Sequence, residues 1–206
     1  KGSYMERAHP SASEQDVLDR LRQIGALKEG HFLLASGRHS DRYIEKFDLL
    51  RQPRETEAVC RHIANRYRDA GIDVVVGPTT GGVILAFEVA RQLGVSAAYA
   101  ERTSDGASGR EFRRGTRFQP GQRVLVVDDI LTTGGSVRET LAALEREPVT
   151  VVAVTVLVDR SGGRVTFGDV PLVPLATVDI ESWDAADCPL CAQGIPLQKP
   201  GTTNVV

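Results

Sequence analysis

Val124-Leu125-Val126-Val127 is an unbroken apolar run that leads straight into two carboxylates, Asp128 and Asp129, and then into the turn Thr132-Thr133-Gly134-Gly135-Ser136. A short, mostly β-branched run of this kind reads as a strand buried on both faces. Such strands belong to parallel sheets covered by helices. Ligands of these sheets gather at the carboxyl ends of the strands. The same segment therefore constrains fold and site together. Small residues in the turn let backbone N–H groups approach an anion. The hydroxyls of Thr132, Thr133 and Ser136 add donors, and the start of the following helix adds positive potential. Two carboxylates beside a phosphate cup would repel the phosphate, so they suit sugar hydroxyls or a metal-bound water. A phosphorylated sugar with a vicinal diol satisfies both halves. A simple helix cap needs one Asp, not two.

The surrounding pattern agrees with a layered α/β fold. Asp73–Val76, Ala97–Ala100, Arg123–Val127 and Thr150–Val158 read as strands. Val83–Leu93 reads as a helix stopped by Gly94, and the loop Ile130–Ser136 feeds a second helix that runs to about Glu145. Earlier in the chain, Ser13 is placed to cap a helix carrying Val17, Leu18, Leu21 and Ile24 at helical spacing, with Gly25 as its stop. Thr56–Ala70 is helical by the same test. Residues 30–50 read as two short strands joined at Ser36-Gly37-Arg38. Residues 102–116 are polar and glycine-containing, a long insert that reads as a mobile active-site loop. After Ser182 no periodicity is evident.

Composition excludes several classes. The chain has 206 residues, 41% of them apolar, enough for a core and against disorder. No apolar run approaches the roughly 20 residues of a membrane span. With 25 basic and 27 acidic residues the net charge is −2, which argues against nucleic-acid binding by bulk electrostatics. Arginine outnumbers lysine 21 to four, so phosphate chemistry here would lean on guanidinium groups and backbone amides. Three cysteines make no secreted disulfide framework, and no charged segment followed by an apolar one opens the chain, so a cytoplasmic protein is expected. Lys1–Tyr4 resemble an expression-vector remnant. Neither G-x-x-x-x-G-K-[ST] nor a strand-borne G-x-G-x-x-G occurs, which leaves P-loop and dinucleotide folds without an anchor. Cys188 and Cys191 form a C-x-x-C pair with no second pair, and His9, His31, His39 and His62 lie far from it in sequence. On sequence alone this favours a structural or incidental role over a zinc site, which lacks a second pair, and over a redox pair, which lacks its usual strand–helix setting, and it predicts structural roles for His31 and His39.

The segment Val124–Ser136 resembles the 5-phosphoribosyl-1-diphosphate (PRPP) motif of the type I phosphoribosyltransferase family. Within that family, Gly30–Phe47, of the form S-G-x-x-S-x-x-Y, is similar to the hood of the orotate phosphoribosyltransferases. Cys188–Gly201 resembles tails found in one branch of them. The resemblance spans most of residues 13–201. It implies an α/β fold with a parallel sheet core flanked by helices, forming one domain over residues 5–206. A core of about 55–180 would carry a small hood made from about 25–50 and part of the C-terminal tail. Asp128 and Asp129 match the acidic pair at the ribose hydroxyls. Ile130, Leu131 and Thr132 to Ser136 (Thr132, Thr133, Gly134, Gly135, Ser136) match the 5′-phosphate loop. Thr79, Thr80, Gly81 and Gly82 match the pyrophosphate loop. Thr132, Arg160, Tyr43, Ile44 and Lys46 fall where orotate is held. Arg102, with the rest of 102–116, matches the catalytic loop that closes over PRPP, often across a dimer. That loop departs from many relatives in having Arg102, Arg110, Arg113 and Arg114 but no Lys or His. The resemblance further implies a pentosyltransferase of pyrimidine biosynthesis, a homodimer, and Mg²⁺ brought in by PRPP. The protein supplies no direct ligand to that Mg²⁺, and only water-mediated contact through Asp128 or Asp129 is envisaged. The alternatives are an adenine-type purine phosphoribosyltransferase and a PRPP-sensing regulator that binds nucleic acid. The hood segment speaks against the first, and the charge and the lack of a spare domain speak against the second.

Overall fold

The computed structural model describes residues 12–34, 36–104 and 109–200. In chain order its elements are α1 (Ala12–Gln23), β1 (Leu27–Leu33), β2 (His39–Ile44), α2 (Lys46–Leu50), α3 (Pro53–Tyr67), β3 (Val74–Pro78), α4 (Gly81–Leu93), β4 (Ser96–Arg102), β5 (Arg110–Glu111), β6 (Arg123–Leu131), α5 (Gly135–Leu144), β7 (Thr150–Asp159), β8 (Leu172–Thr177), β9 (Ser182–Trp183) and α6 (Pro189–Ala192). Two sheets form. The larger has the order β5-β4-β3-β6-β7-β8, and the smaller has the order β1-β2-β9. In the larger sheet every neighbouring pair is parallel except β4 with β5.

Side-chain alternation splits the core into two layers. Val75, Leu125, Val127 and Leu157 pack with Val59, Ile63, Leu85 and Val89 of α3 and α4, and with Val17 and Leu21 of α1. Val74, Val76, Val124, Val126, Val154 and Val156 face the other way, onto Val137 and Leu144 of α5 and onto Phe118 and Phe167. That two-residue period is why the strands read as continuous apolar runs: both faces are covered.

The chain passes from β3 outward to β4, then returns to place β6 on the other side of β3. Strand order therefore reverses between β3 and β6. The loops that leave their carboxyl ends diverge and open a crevice there. The loop after β3 is the predicted pyrophosphate loop, and the loop after β6 is the predicted phosphate loop.

Several expected boundaries move. The strand expected to end at Val127 runs through both aspartates to Leu131, because β7 continues to pair with it up to Leu131↔Asp159. The loop after it shrinks to Thr132–Gly134. The helix expected from Val83 begins at Gly81. Ser13 lies inside α1, which already includes Ala12, so it is not the residue that precedes the helix. Residues 46–50, read as strand, form the short helix α2, capped by the Glu45 side chain accepting from the Phe47 N–H. The strand β8 is not among the expected strands, because Pro174 splits its apolar residues Leu172, Val173, Leu175 and Ala176 into two short pieces. Proline is tolerated there because β8 is an edge strand. In the predicted loop 102–116, β5 folds back on β4 as a narrow antiparallel hairpin, with Arg102 opposite Arg110. Residues 105–108, part of that loop, and Ala35 lie outside the described residues.

Candidate active site

Alternation on β6 sends its two carboxylates to opposite faces. Asp128 follows Val124 and Val126 toward α5, and its Oδ2 accepts a 2.9 Å hydrogen bond from Ser136 Oγ in the first turn of that helix. Asp129 follows Leu125 and Val127 toward α4, where it meets Gly81. A Cβ at Gly81 would stand 1.8 Å from Asp129 Oδ2, so only glycine fits at the start of α4. On the same side Lys46 Nζ forms an ion pair with Asp129, 2.9 Å from Oδ2. The better hydrogen-bond direction runs to Oδ1 at 3.2 Å. Each carboxylate also accepts the backbone N–H of the next residue, at 2.9 and 2.6 Å. Both are almost fully buried, with 7% and 3% exposure. Burial first, and the neighbouring Asp129 charge second, push the Asp128 carboxyl up to about 6. Its two hydrogen bonds and Lys46 work the other way.

The turn between β6 and α5 is shaped for an anion. Gly134 precedes the helix with a left-handed φ of 78°, and no side chain caps the helix start. A Cβ at Gly134 would meet Val165 at 2.9 Å and Arg138 at 2.8 Å. Thr132 and Thr133 are exposed, and the first turn of α5 carries no acidic residue. The first N–H groups of α5 therefore stay open to a phosphate. Arg138 braces the turn from behind, donating to the carbonyls of Thr133 and Thr166 and lying over the Phe167 ring.

Beside this turn a cavity of about 780 Å³ opens between the large sheet and the small one. Its walls bring together six of the predicted residues besides Asp129: Tyr43, Ile44, Lys46, Ile130, Thr132 and Arg160. Arg160 is aimed by its predecessor. Asp159, 1% exposed, accepts the N–H groups of Ser161 and Gly163, and the Arg160 N–H donates to Leu131 O. Among the described residues the Arg160 guanidinium has no ion pair, and its buried Nε has no hydrogen-bond partner. Burial lowers its pKa, partly offset by Tyr43. Burial raises that of Tyr43, partly offset by Arg160. A desolvated, unpaired guanidinium facing a cavity is a place for a planar carboxylate.

Other predicted residues lie around this cavity, outside its walls. Thr79 accepts a 2.9 Å hydrogen bond from Arg110 Nη1. Thr80 precedes α4, and Gly81 and Gly82 open it. The Thr79–Thr80 peptide bond is cis. Arg102 is exposed at the end of β4. The other loop arginines are occupied: Arg110 is 3% exposed, bound to Thr79, Ala100 and Glu139, Arg113 pairs with Glu111, and Arg114 pairs with Glu101. Sequence reasoning missed Lys28, Asp48 and Arg51, which line the cavity as a small ion cluster in which Lys28 Nζ stands 3.2 Å from Asp48. No pattern announces them, because charged hood residues look like ordinary surface until the sheet folds over the site.

A parallel sheet with this reversal and an uncapped, glycine-led helix start at it is shared by several phosphate-binding α/β folds; the phosphoribosyl transferase domain family matches residues 48–167, which places the chain in the phosphoribosyltransferase class. Relatives are similar over nearly the whole chain. The orotate phosphoribosyltransferase of Desulforamulus reducens is 42% identical over 193 residues, 94% of this chain and 99% of that protein. That of Pelotomaculum thermopropionicum is 44% identical over 193 residues, 94% and 100% of the two chains. The crystal structure of orotate phosphoribosyltransferase from Aeropyrum pernix superposes with a TM-score of 0.65 at 31% identity, covering 79% of this chain and 93% of that one. The chain belongs to the orotate phosphoribosyltransferase family.

Proposed function

We propose that the chain transfers the 5-phosphoribosyl group of PRPP to orotate, giving orotidine 5′-monophosphate and pyrophosphate. One observation carries the reading: the unpaired Arg160 faces the same cavity as Asp129 and Thr132, next to the open start of α5. In this assignment the N–H groups and hydroxyls of Thr132–Ser136 hold the 5′-phosphate. Asp128 and Asp129 accept hydrogen bonds from the ribose hydroxyls, one from each side of β6. Thr79–Gly82 lie along the pyrophosphate. Arg160 grips the orotate carboxylate, with Tyr43, Ile44 and Lys46 closing the hood over the ring.

The bond from C1 to pyrophosphate breaks ahead of attack, positive charge develops at C1, and orotate N1 adds from the opposite face. Positioning and exclusion of water do the catalytic work, and no covalent nucleophile is required. Mg²⁺ carried by PRPP fits beside this site. Asp129 Oδ2 is a buried hard oxygen whose partner among the described residues is the Lys46 ammonium, 2.9 Å away in an ion pair without hydrogen-bond geometry, and Asp128 points to the other face of β6. When bound, the ion neutralises charge on the leaving pyrophosphate. Arg102 supplies further positive charge from the loop.

The core with its hood acts as one unit in this reading, and the working form is a homodimer. Phe87, 66% exposed, and Ile84, 38% exposed, leave an apolar patch on α4 that a second copy would cover. Among the described residues no helix is long and apolar enough to cross a membrane. The test is loss of orotate absorbance on adding PRPP and Mg²⁺, with adenine as competitor. Turnover of orotate that adenine leaves untouched is expected. Turnover of adenine alone would select the purine alternative.

A further inference from the structure

The small sheet and the C-terminal segment meet at four side chains that the phosphoribosyl site does not use. His31 lies on β1, His39 on β2, Cys188 just before α6 and Cys191 within it. One donor atom from each lies within 4.8 Å of all the others. His31 Nε2 and His39 Nδ1 are 3.0 Å apart. Cys188 Sγ is 3.5 Å from His31 Nε2, and Cys191 Sγ is 3.8 Å from His31 Nε2 and 3.3 Å from His39 Nδ1. A tetrahedron with Zn–S of about 2.3 Å and Zn–N of about 2.05 Å has N···N edges of about 3.3 Å and S···N edges of about 3.6 Å. The four edges above lie within about 0.3 Å of those dimensions, and the remaining two are no longer than 4.8 Å, so a small adjustment of the side chains closes the tetrahedron. Both cysteines are free thiols.

The tautomer of His31 is set by a neighbour. Its Nδ1 lies 2.7 Å from the carbonyl oxygen of Ile195. A carbonyl only accepts, so Nδ1 carries the proton and Nε2 turns its lone pair into the cluster. This is the outer contact that orients a metal-bound imidazole. His31, His39 and Cys188 are buried, at 1%, 6% and 3% exposure, so the donors are held in place and do not sweep solvent. Two soft sulfurs and two imidazoles select zinc over magnesium, which wants oxygen.

We propose that His31, His39, Cys188 and Cys191 form a structural zinc site that pins the C-terminal segment onto the hood. All four positions of the tetrahedron are protein ligands, which leaves none for a substrate. The same strand that carries His39 carries Tyr43 and Ile44 into the substrate cavity. The metal therefore staples the wall of that cavity from outside. It reinforces the strand contacts of Leu33 with Gln198 and the Arg38–Ser182 hydrogen bonds that hold the same segment. The C-x-x-C pair concealed this because its partners lie roughly 150 residues upstream, on two strands of a hairpin.

The experiment is metal analysis of the reduced full chain, loaded with zinc chloride and dialysed exhaustively. About one zinc per chain is expected, lost when Cys188 and Cys191 are both serine. Cobalt(II) replacement should add a thiolate-to-cobalt charge-transfer band and the intense visible bands of a tetrahedral site. If the double variant fails to fold, the exposed Cys191→Ser alone serves, and it should weaken zinc retention against a chromophoric chelator by at least about ten-fold. Wild-type protein without zinc overturns the proposal. So does equal zinc in wild type and variants, which would place the metal elsewhere. A Cys188–Cys191 disulfide in protein kept under reductant would overturn it in favour of a redox pair. None of these readings depends on turnover, so they stand apart from the test of orotate transfer.

Discussion

Lys46 Nζ lies 2.9 Å from Asp129 Oδ2, so a hood residue at the start of α2 neutralises a buried carboxylate at the end of the central strand β6. The pair ties the hood to the central strand at the site. Removing one partner of a fully buried pair costs about 3–5 kcal/mol. The Lys46 side chain is 37% exposed, so water screens it and about 1–2 kcal/mol is expected for Lys46→Met. A double-mutant cycle with Asp129→Asn, read by thermal unfolding and by kcat/KM, should show strong coupling. Strictly additive effects would mean that the two groups act independently.

Gly81→Ala should disable the site while the sheet stays folded. The new Cβ would stand 1.8 Å from Asp129 Oδ2 and 3.0 Å from Leu50 Cδ1, so Asp129 must move. Displacement of a positioning group by about 1 Å lowers rates on the order of 100-fold. Steady-state kinetics with PRPP varied, beside a circular dichroism spectrum, decides it, and an unchanged kcat/KM would remove Asp129 from the ribose.

Asp128 predicts opposite pH trends for activity and stability. Its carboxyl is pushed up to about 6 in the fold from an ordinary 3.8, so the fold favours the protonated form. The contribution of Asp128 to stability is therefore full below about 4 and is lost as pH rises through about 6. Asn has no such titration. Asp128→Asn should unfold at higher temperature than wild type at pH 8, by at most about 3 kcal/mol at about 1.36 kcal/mol per pH unit. The gap should close near pH 4. Activity runs the other way, falling in the wild type as pH drops through about 6, because the protonated carboxyl loses the negative charge that makes it a strong acceptor for a ribose hydroxyl. Parallel melting curves and pH–rate profiles check both, and a pH-independent stability gap would contradict the burial argument.

Arg160→Ala should raise the KM for orotate roughly 10- to 150-fold, the effect of losing a charge-assisted contact of about 1.5–3 kcal/mol. The KM for PRPP should change little. Equal rises in both would remove the guanidinium from the orotate carboxylate.

Among the loop arginines, Arg110 is buried and Arg102 exposed, so the two should respond differently to truncation. Arg110 is buried against Thr79 and Glu139, so Arg110→Ala should lower the melting temperature. Arg102 is exposed, so Arg102→Ala should spare the melting temperature and depress turnover. Mixing the Arg102→Ala chain with an Asp128→Asn, Asp129→Asn chain tests whether the loop serves a neighbouring subunit. Partial recovery of activity is expected in hybrid dimers. No recovery despite confirmed subunit exchange would assign Arg102 to its own subunit.

The alternation of buried strands and helices, the aspartate pair and the glycine turn that follows it are all legible in the residue order. These are local signals. A strand covered on both faces must be apolar throughout, and a turn that admits an anion must be small and hydroxyl-rich. That Asp128 and Asp129 part toward different helices follows from strand pairing, because β7 extends β6 beyond Val127 and alternation continues through both residues. Tertiary packing brought Lys46 onto Asp129 and gathered His31, His39, Cys188 and Cys191. Contacts across 83 residues for the first pair, and across up to 160 for His31 with Cys191, leave no periodic trace in the chain. They depend on the register of a hairpin and on how one sheet settles against another, and side-chain packing sets both.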